Sequence, residues 1–207
     1  MPDIEELGAK VPKLYNWFAS NQITSALIKA VVGFDQKRTI PCLSESEANN
    51  LSAKRSASEA VCRPSGRKLY LFLDEFTHHQ EPEIAQDFIA ILTALGYEVI
   101  LPKHVPSGRA AISKGCLNYA RKQAIRNVNL LSDLVTEEAP LVGIEPSCIL
   151  SFRDEYPHLV PDTLREKAKS LGNNALLYDE FLMREIETGR IDTVSYTHLT
   201  LPTMAVV

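Results

Sequence analysis

The side chains with chemistry to offer fall in three short stretches: Asp74-Glu-Phe-Thr-His-His79, Lys103-His-Val-Pro-Ser-Gly-Arg109 and Glu145-Pro-Ser-Cys148. The third follows an apolar run ending at Val142, Gly143 and Ile144. Pro146 suits the first turn of a helix because it has no N–H to leave unpaired, and Ser147 can help satisfy the free helical N–H groups. Cys148 is therefore expected at the positive end of a helix dipole, where a thiolate is stabilised and can bind a metal or react. The competing reading is a small buried side chain in an ordinary turn, since free cysteine is among the most buried residue types.

Two sharper constellations use the same stretches. A metal site from His78, His79, His104 and Cys148 has acceptable donor types, but adjacent loop histidines rarely face one ion, so solvated histidines are the preferred reading. A Cys148 nucleophile with His104 as base and Glu145 as orienter is the enzymatic version of the same geometry. Neither is specific enough to assign a catalytic residue. Ser107-Gly108-Arg109 opens a helix with free N–H groups and a guanidinium, which suit a phosphate or carboxylate. An N-cap with Arg109 paired to Asp74 or Glu145 explains it equally well. Gly108 alone is no dinucleotide fingerprint, since no GxGxxG follows the first strand, which disfavours nicotinamide or flavin binding by these residues. Arg153 and Asp154 read as a structural pair.

The elements that must position these stretches follow from periodicity. Lys68 to Leu73 is an uninterrupted apolar and aromatic run, as expected of a strand buried on both faces in a parallel sheet. Glu81 to Leu95 is an amphipathic helix that starts at Pro82 and stops at Gly96, and Tyr97 to Leu101 is a second strand ended by Pro102. A long helix runs from Ser107 to Leu134 with a break near Gly115, and Leu141 to Ile144 is the third strand. Pro161 to Leu171 and Leu176 to Ile186 read as covering helices. The order β-α-β-α-β predicts an α/β fold, a Rossmann-like parallel sheet with flanking helices, with ligands at the carboxyl ends of the strands. It is preceded by a short helical segment, since Val11, Leu14, Tyr15, Phe18, Ile23, Leu27, Ile28 and Val31 recur at helical spacing.

The expected organisation is a helical segment over 1–34, a polar linker over 35–67 with one weak helix between Ser46 and Ala57, and the α/β domain over 68–193. Residues 194–207 fit nothing before them. They resemble a translated sequencing-adapter tail, so the natural chain is expected to continue past Thr193. At 207 residues the chain can bury one substantial core, and 45% hydrophobic and 23% charged residues are ordinary for a soluble protein. A net charge of -4 gives no reason to propose nucleic acid or an anionic membrane as partner. No apolar run approaches the roughly 20 residues of a spanning helix. The N-terminus lacks a basic secretory start, so the cytoplasm or the inner face of a membrane is expected. Cys42, Cys62, Cys116 and Cys148 show neither a CxxC pair nor a zinc spacing.

A strand ending in Phe-Leu-Asp74, a helix, Gly96-Tyr-Glu-Val-Ile-Leu-Pro102, the Ser107-Gly-Arg-Ala turn, a helix with Ala120-Arg121 and Asn127-Val128, and Glu145-Pro-Ser-Cys148 together resemble the cysteine-rich CCG domain. That domain occurs in heterodisulfide reductases, in iron–sulfur subunits of glycolate oxidase and anaerobic glycerol-3-phosphate dehydrogenase, and in FAD-linked D-lactate or 2-hydroxyglutarate dehydrogenases with fused iron–sulfur modules. The resemblance covers about residues 68–187, and residues 1–34 resemble the helical segment that follows the ferredoxin-like part of the fused enzymes. It implies an iron–sulfur cluster and FAD in the full-length protein, upstream FAD and ferredoxin-like domains as partners, and a quinone or carrier protein as electron acceptor. The family's cluster cysteines follow the first strand, form a Cys-Cys-Gly turn and recur as Cys-x-x-Cys, because iron clusters favour soft thiolates. Those positions here are Asp74 or its neighbourhood, Pro106-Ser107-Gly108, and Glu145-Pro-Ser-Cys148, so Cys148 alone keeps a ligand identity. The resemblance thus implies a degenerate repeat in which Ser107, Gly108, Arg109, Glu145 and Ser147 are the candidate cofactor-binding loop positions, Cys148 is the one metal-ligand candidate, and the chain is expected to bind no cluster. The alternative is a non-redox binding or scaffold module with an anion or partner pocket at Ser107 to Arg109.

Overall fold

In the computed structural model, residues 11–43 and 66–191 are described. The expected weak helix between Ser46 and Ala57, Cys62 and the C-terminal tail lie outside them. The first described segment is a helical pair, α1 (Pro12–Ser20) and α2 (Gln22–Val32). Asn21 joins them by accepting from the Ile23 and Thr24 amides, and Gly33 ends α2 in the left-handed region at φ 79°. Asn16 pins the chain that follows through two 2.7 Å bonds to the Leu43 backbone. Leu14, Trp17, Leu27 and Val31 stay exposed on this pair.

β1 (Lys68–Phe72) is the centre of the second segment. Its alternate residues feed two different cores, which is why its sequence is apolar throughout. Tyr70 and Phe72 pack on one side, and Leu69 and Leu71 on the other. The chain then runs through α3 (Glu75–His79), α4 (Pro82–Ala94), β2 (Glu98–Ile100), α5 (Arg109–Ser113), α6 (Leu117–Leu131), β3 (Leu141–Gly143) and α7 (Pro146–Asp154). It finishes with α8 (Tyr156–Leu159), α9 (Asp162–Asn173), β4 (Ala175–Leu177) and α10 (Tyr178–Glu187). The sheet is wholly parallel in the order β2-β1-β3-β4, with Leu71 opposite Val142 and Val142 opposite Leu176. α6, α7 and α9 cover one face through Val128, Phe152 and Leu171. α4 and α10 cover the other through Phe88 and Phe181. The protein is therefore an α/β fold with a parallel sheet between helical layers.

Several expected elements change in detail. The expected break in the long helix falls where Gly115 takes φ 72°, giving α5 and α6, and the first helical residue is Arg109 rather than Ser107. Asp74 to His79, expected as a loop, forms α3 because the Asp74 carboxylate caps the Phe76 and Thr77 amides at 2.9 and 3.0 Å. The stretch from Leu176, expected as helix alone, begins inside β4, whose pairing with β3 outweighs local helical preference. No helix among the described residues is long and apolar enough to cross a membrane.

Candidate functional site

β1 and β3 are neighbours, but the chain visits β2 between them, so the strand order reverses at their junction. Crevices at such reversals, outside the carboxyl ends of the strands, are where open α/β sheets place ligands. Three turns meet there. After β1, Asp74 turns inward to cap α3 and is 1% exposed, while the next residue, Glu75, reaches the turn that follows β2. Ser107 donates to Glu75 through its amide at 3.2 Å and its hydroxyl at 3.0 Å. From the turn after β3, Cys148 brings its sulfur to 3.3 Å from Ser107 Oγ. Ser107 and Cys148 are both fully buried.

The turn after β2 is held from behind. Asn127 of α6 accepts from the Val105 amide at 2.9 Å and donates to the Val105 and Pro106 carbonyls at 3.1 and 3.3 Å. Its Nδ2 also donates to the Tyr156 hydroxyl at 2.9 Å, which in turn donates to the Ser107 carbonyl at 2.8 Å. Burial pushes the Tyr156 phenol well above its ordinary value, so it remains a donor. Gly108 takes φ 78°, and a Cβ there would lie 3.4 Å from Ala120 of α6. Glu75 and Asn127 stand in the sequence only as members of the stretches quoted above, and neither they nor Tyr156 carry a site role there. The available signal was the polar pair Gln123 and Asn127 within the buried stripe that also holds Ala120, Ala124, Val128 and Leu131.

Cys148 occupies the first turn of α7, but its thiol is not the stabilised thiolate that the dipole argument predicts. Burial raises its pKa above the ordinary value, and the nearby Glu75 charge raises it further. Desolvation of a charged sulfur outweighs the partial charge of a helix end. Ser147 is not the cap either. Glu145 fills that role, accepting from the Cys148 amide and the Ser147 hydroxyl, each at 2.7 Å. Burial works to raise the Glu145 pKa, and these two bonds outweigh it, leaving the carboxyl below its ordinary value.

The seat expected for an external anion at Ser107 to Arg109 is taken by Glu75 from the same chain. Arg109 pairs with Glu155 at 2.9 Å rather than with Asp74 or Glu145, and its amide donates to Ser107 Oγ at 3.2 Å. Arg153 does not pair with Asp154. It forks onto Glu180 at 3.1 and 2.8 Å and donates to the Ala175 carbonyl at 2.8 Å, tying α7 to β4 and α10. The His104 ring packs on Phe72 with centroids 4.5 Å apart, and its Nδ1 bonds the Val105 carbonyl rather than Cys148. His78 and His79 stack edge to face at 4.5 Å, and among the described residues no cluster of three or more His, Cys, Asp or Glu side chains is placed to hold a metal.

Fold and site together define an open parallel α/β domain whose strand-end crevice is closed by a hydroxyl joining a neutral thiol to a carboxylate. No family profile and no solved structure matches the chain. Curated relatives do. The chain is 26% identical over 194 residues to the D-2-hydroxyglutarate dehydrogenase of Escherichia coli K12, covering 91% of itself and 18% of that protein. It is 28% identical over 167 residues to the Haemophilus influenzae D-2-hydroxyglutarate dehydrogenase, covering 77% of itself and 16% of the relative. With one of the subunits of the anaerobic glycerol-3-phosphate dehydrogenase of Escherichia coli K12 it shares 28% identity over 166 residues, covering 79% of itself and 40% of that relative. The chain thus spans a small part of the length of each relative.

Proposed function

We propose that this chain is the electron-transfer or scaffold portion of an FAD-linked, iron–sulfur-containing 2-hydroxyacid dehydrogenase of the D-lactate, glycolate or 2-hydroxyglutarate type. The observation that carries the reading is similarity to D-2-hydroxyglutarate dehydrogenase over 91% of the chain. The geometry supports it, since the three turns that the CCG resemblance assigns to cluster ligands meet in one crevice through Glu75, Ser107 and Cys148. In the whole protein the flavin domain takes electrons from the hydroxy acid, and iron–sulfur modules pass them to a quinone or carrier protein. FAD and ferredoxin-like domains upstream are then this chain's partners, at the cytoplasm or the inner membrane face.

The crevice itself does not fit an iron–sulfur cluster. It offers one sulfur, held as a neutral thiol, where clusters need several thiolates. Ser107 and Glu75 are oxygen donors already bonded to each other. The strand-to-helix turn at Glu145 to Cys148 is accordingly a relic of a cluster loop, kept as structure, and the chain alone has no turnover. The non-redox alternative, an anion pocket at Ser107 to Arg109, is opposed by the occupation of that seat by Glu75.

Two measurements test the proposal. The reading frame upstream of Met1 should encode a Cys-x-x-Cys-x-x-Cys-x-x-x-Cys-Pro run, and a native protein without it would remove the redox reading. Anaerobic reconstitution with iron and sulfide should give no visible cluster absorbance on this chain. A stoichiometric cluster lost on Cys148→Ser would overturn the relic assignment.

A further inference from the structure

A second cluster of charge lies at the other end of the sheet, where the strands begin. Lys68 opens β1, Tyr97 directly precedes β2, and with Arg184, Glu185 and Arg190 they line a cavity of about 160 Å³. Glu185 is 1% exposed, and both of its oxygens are engaged. The Tyr97 hydroxyl donates to Oε2 at 2.6 Å, and Arg184 Nε and Arg190 donate to Oε1 at 3.1 Å each. Two guanidinium groups on one carboxylate leave positive charge in surplus. The groups are also held in place: Arg184 lies over the Phe181 ring at 5.6 Å, and Arg67 lies over Tyr97 at 5.1 Å while donating to the Arg190 carbonyl at 3.1 Å.

The surplus extends to Lys68, whose ammonium has no hydrogen-bond or ion-pair partner among the described residues. Leaving Arg67 aside, Lys68, Arg184 and Arg190 face the carboxylates of Glu138 and Glu185 across this cavity. A buried carboxylate needs a counter-charge, but one guanidinium with the Tyr97 hydroxyl would satisfy it, and a purely structural ion pair requires no open cavity beside it. An Arg184 guanidinium stacked on Phe181 and an Arg190 guanidinium tied to the buried Glu185, beside an exposed ammonium, are instead an arrangement that receives oxyanions.

We infer that this cavity is a binding site for a small dianionic oxyanion, with Lys68 and Arg190 as the contacting cations and Glu185 and Tyr97 as the groups that hold Arg184 and Arg190 in position. The inference is independent of the thiol crevice and of the dehydrogenase reading. It is tested on the 207-residue chain by NMR. The ¹H–¹⁵N spectrum is titrated with sodium phosphate and, separately, with disodium succinate, ionic strength being held constant with sodium chloride. Saturable shifts confined to amides around Lys68, Arg184 and Arg190 are expected with at least one anion, and the anion that produces them fixes whether a tetrahedral group or a dicarboxylate is preferred. Lys68→Gln alters an exposed side chain that bonds nothing described, so the fold should persist while affinity falls about threefold or more. Absence of saturable shifts with both anions, or unchanged affinity in Lys68→Gln, would overturn the inference.

Discussion

Ser107 Oγ lies 3.3 Å from Cys148 Sγ and 3.0 Å from Glu75 Oε1, so a single hydroxyl joins the thiol to the carboxylate across the mouths of three strands. A hydroxyl has one proton to give, and an ionised carboxylate only accepts. Ser107 therefore shares its one proton between its two acceptors, Glu75 and Cys148, and the same hydroxyl holds the turn and the buried sulfur together.

This arrangement makes Cys148 unreactive. Cys42 and Cys116 are exposed, whereas Cys148 is fully buried with its pKa raised by burial and by Glu75. Iodoacetamide at neutral pH should alkylate Cys42 and Cys116 in the native chain and reach Cys148 about 100-fold more slowly, through transient opening. Peptide mass spectrometry over a time course measures the difference. Equal labelling of Cys148 and Cys116 would mean that the thiol is neither buried nor neutral.

Removing the central hydroxyl should be costly for its size. Ser107→Ala takes a partner from Glu75, from Cys148 and from the Arg109 amide at 3.2 Å. Leaving buried polar groups unpaired costs about 1–3 kcal/mol. Urea unfolding of the variant should show that loss with an unchanged m-value. A loss below about 0.5 kcal/mol would place the hydroxyl outside the network.

Asn127 and Tyr156 act on the same turn from the opposite side, and their effects should not add. Tyr156→Phe removes one donor to the Ser107 carbonyl and should cost about 1–2 kcal/mol. Asn127→Leu leaves the Val105 amide and the Pro106 carbonyl without their side-chain partner and should cost about 3 kcal/mol. Since Asn127 also donates to Tyr156 at 2.9 Å, the double variant should lose less than the sum by about 0.5 kcal/mol or more. Strict additivity in a double-mutant cycle would contradict the chain of bonds.

What could be read from the sequence was what depends on neighbours along the chain. The two-faced burial of β1, the Pro82 start of α4 and the break at Gly115 all follow from residue types a few positions apart. β4 did not, because Ala175-Leu-Leu177 suits helix or strand and only its pairing with β3 decides. The site shows the same division. That the turns after β1, β2 and β3 would meet follows from a parallel sheet, but that Glu75 rather than Asp74 enters the crevice depends on Asp74 capping α3. The dipole at Cys148 is a local property, whereas the burial that outweighs it comes from α6, α8 and β1 packing over the same core.

Gly143 is a further place where packing leaves no freedom. It ends β3 beneath α7, and a Cβ there would lie 2.5 Å from the Cβ of Ile149, nearer than real side chains approach. Gly143→Ala must push α7 off the sheet, and overpacking of this kind costs about 1–3 kcal/mol. The Glu145 to Cys148 turn should move with it, so native alkylation of Cys148 should accelerate as thermal stability falls. An alanine variant as stable as the parent would show that α7 sits farther from β3.

Histidine burial sets the response to mild acid. Burial lowers the His104 pKa, opposed by its Val105 carbonyl bond and assisted by the charge of His78. Burial likewise lowers that of His78, opposed by Asp74. Above the ordinary histidine value of about 6.5 both rings are neutral in the folded and unfolded chains, and they make no difference to stability. As pH falls through that value the unfolded chain takes up protons that the folded chain refuses, so stability declines. The decline ends once pH passes below the lowered folded values. Glu145 adds a separate loss at lower pH, because its carboxyl is held below the ordinary range and must be protonated as acid approaches that range and beyond. Urea midpoints measured from pH 8 downward should be level to about pH 7 and then fall. In His104→Gln the first fall should be shallower and the acid-side loss retained. A parent chain whose midpoint is level down to about pH 5, or a His104→Gln variant with the parental slope, would show that the ring on Phe72 is not held neutral by burial.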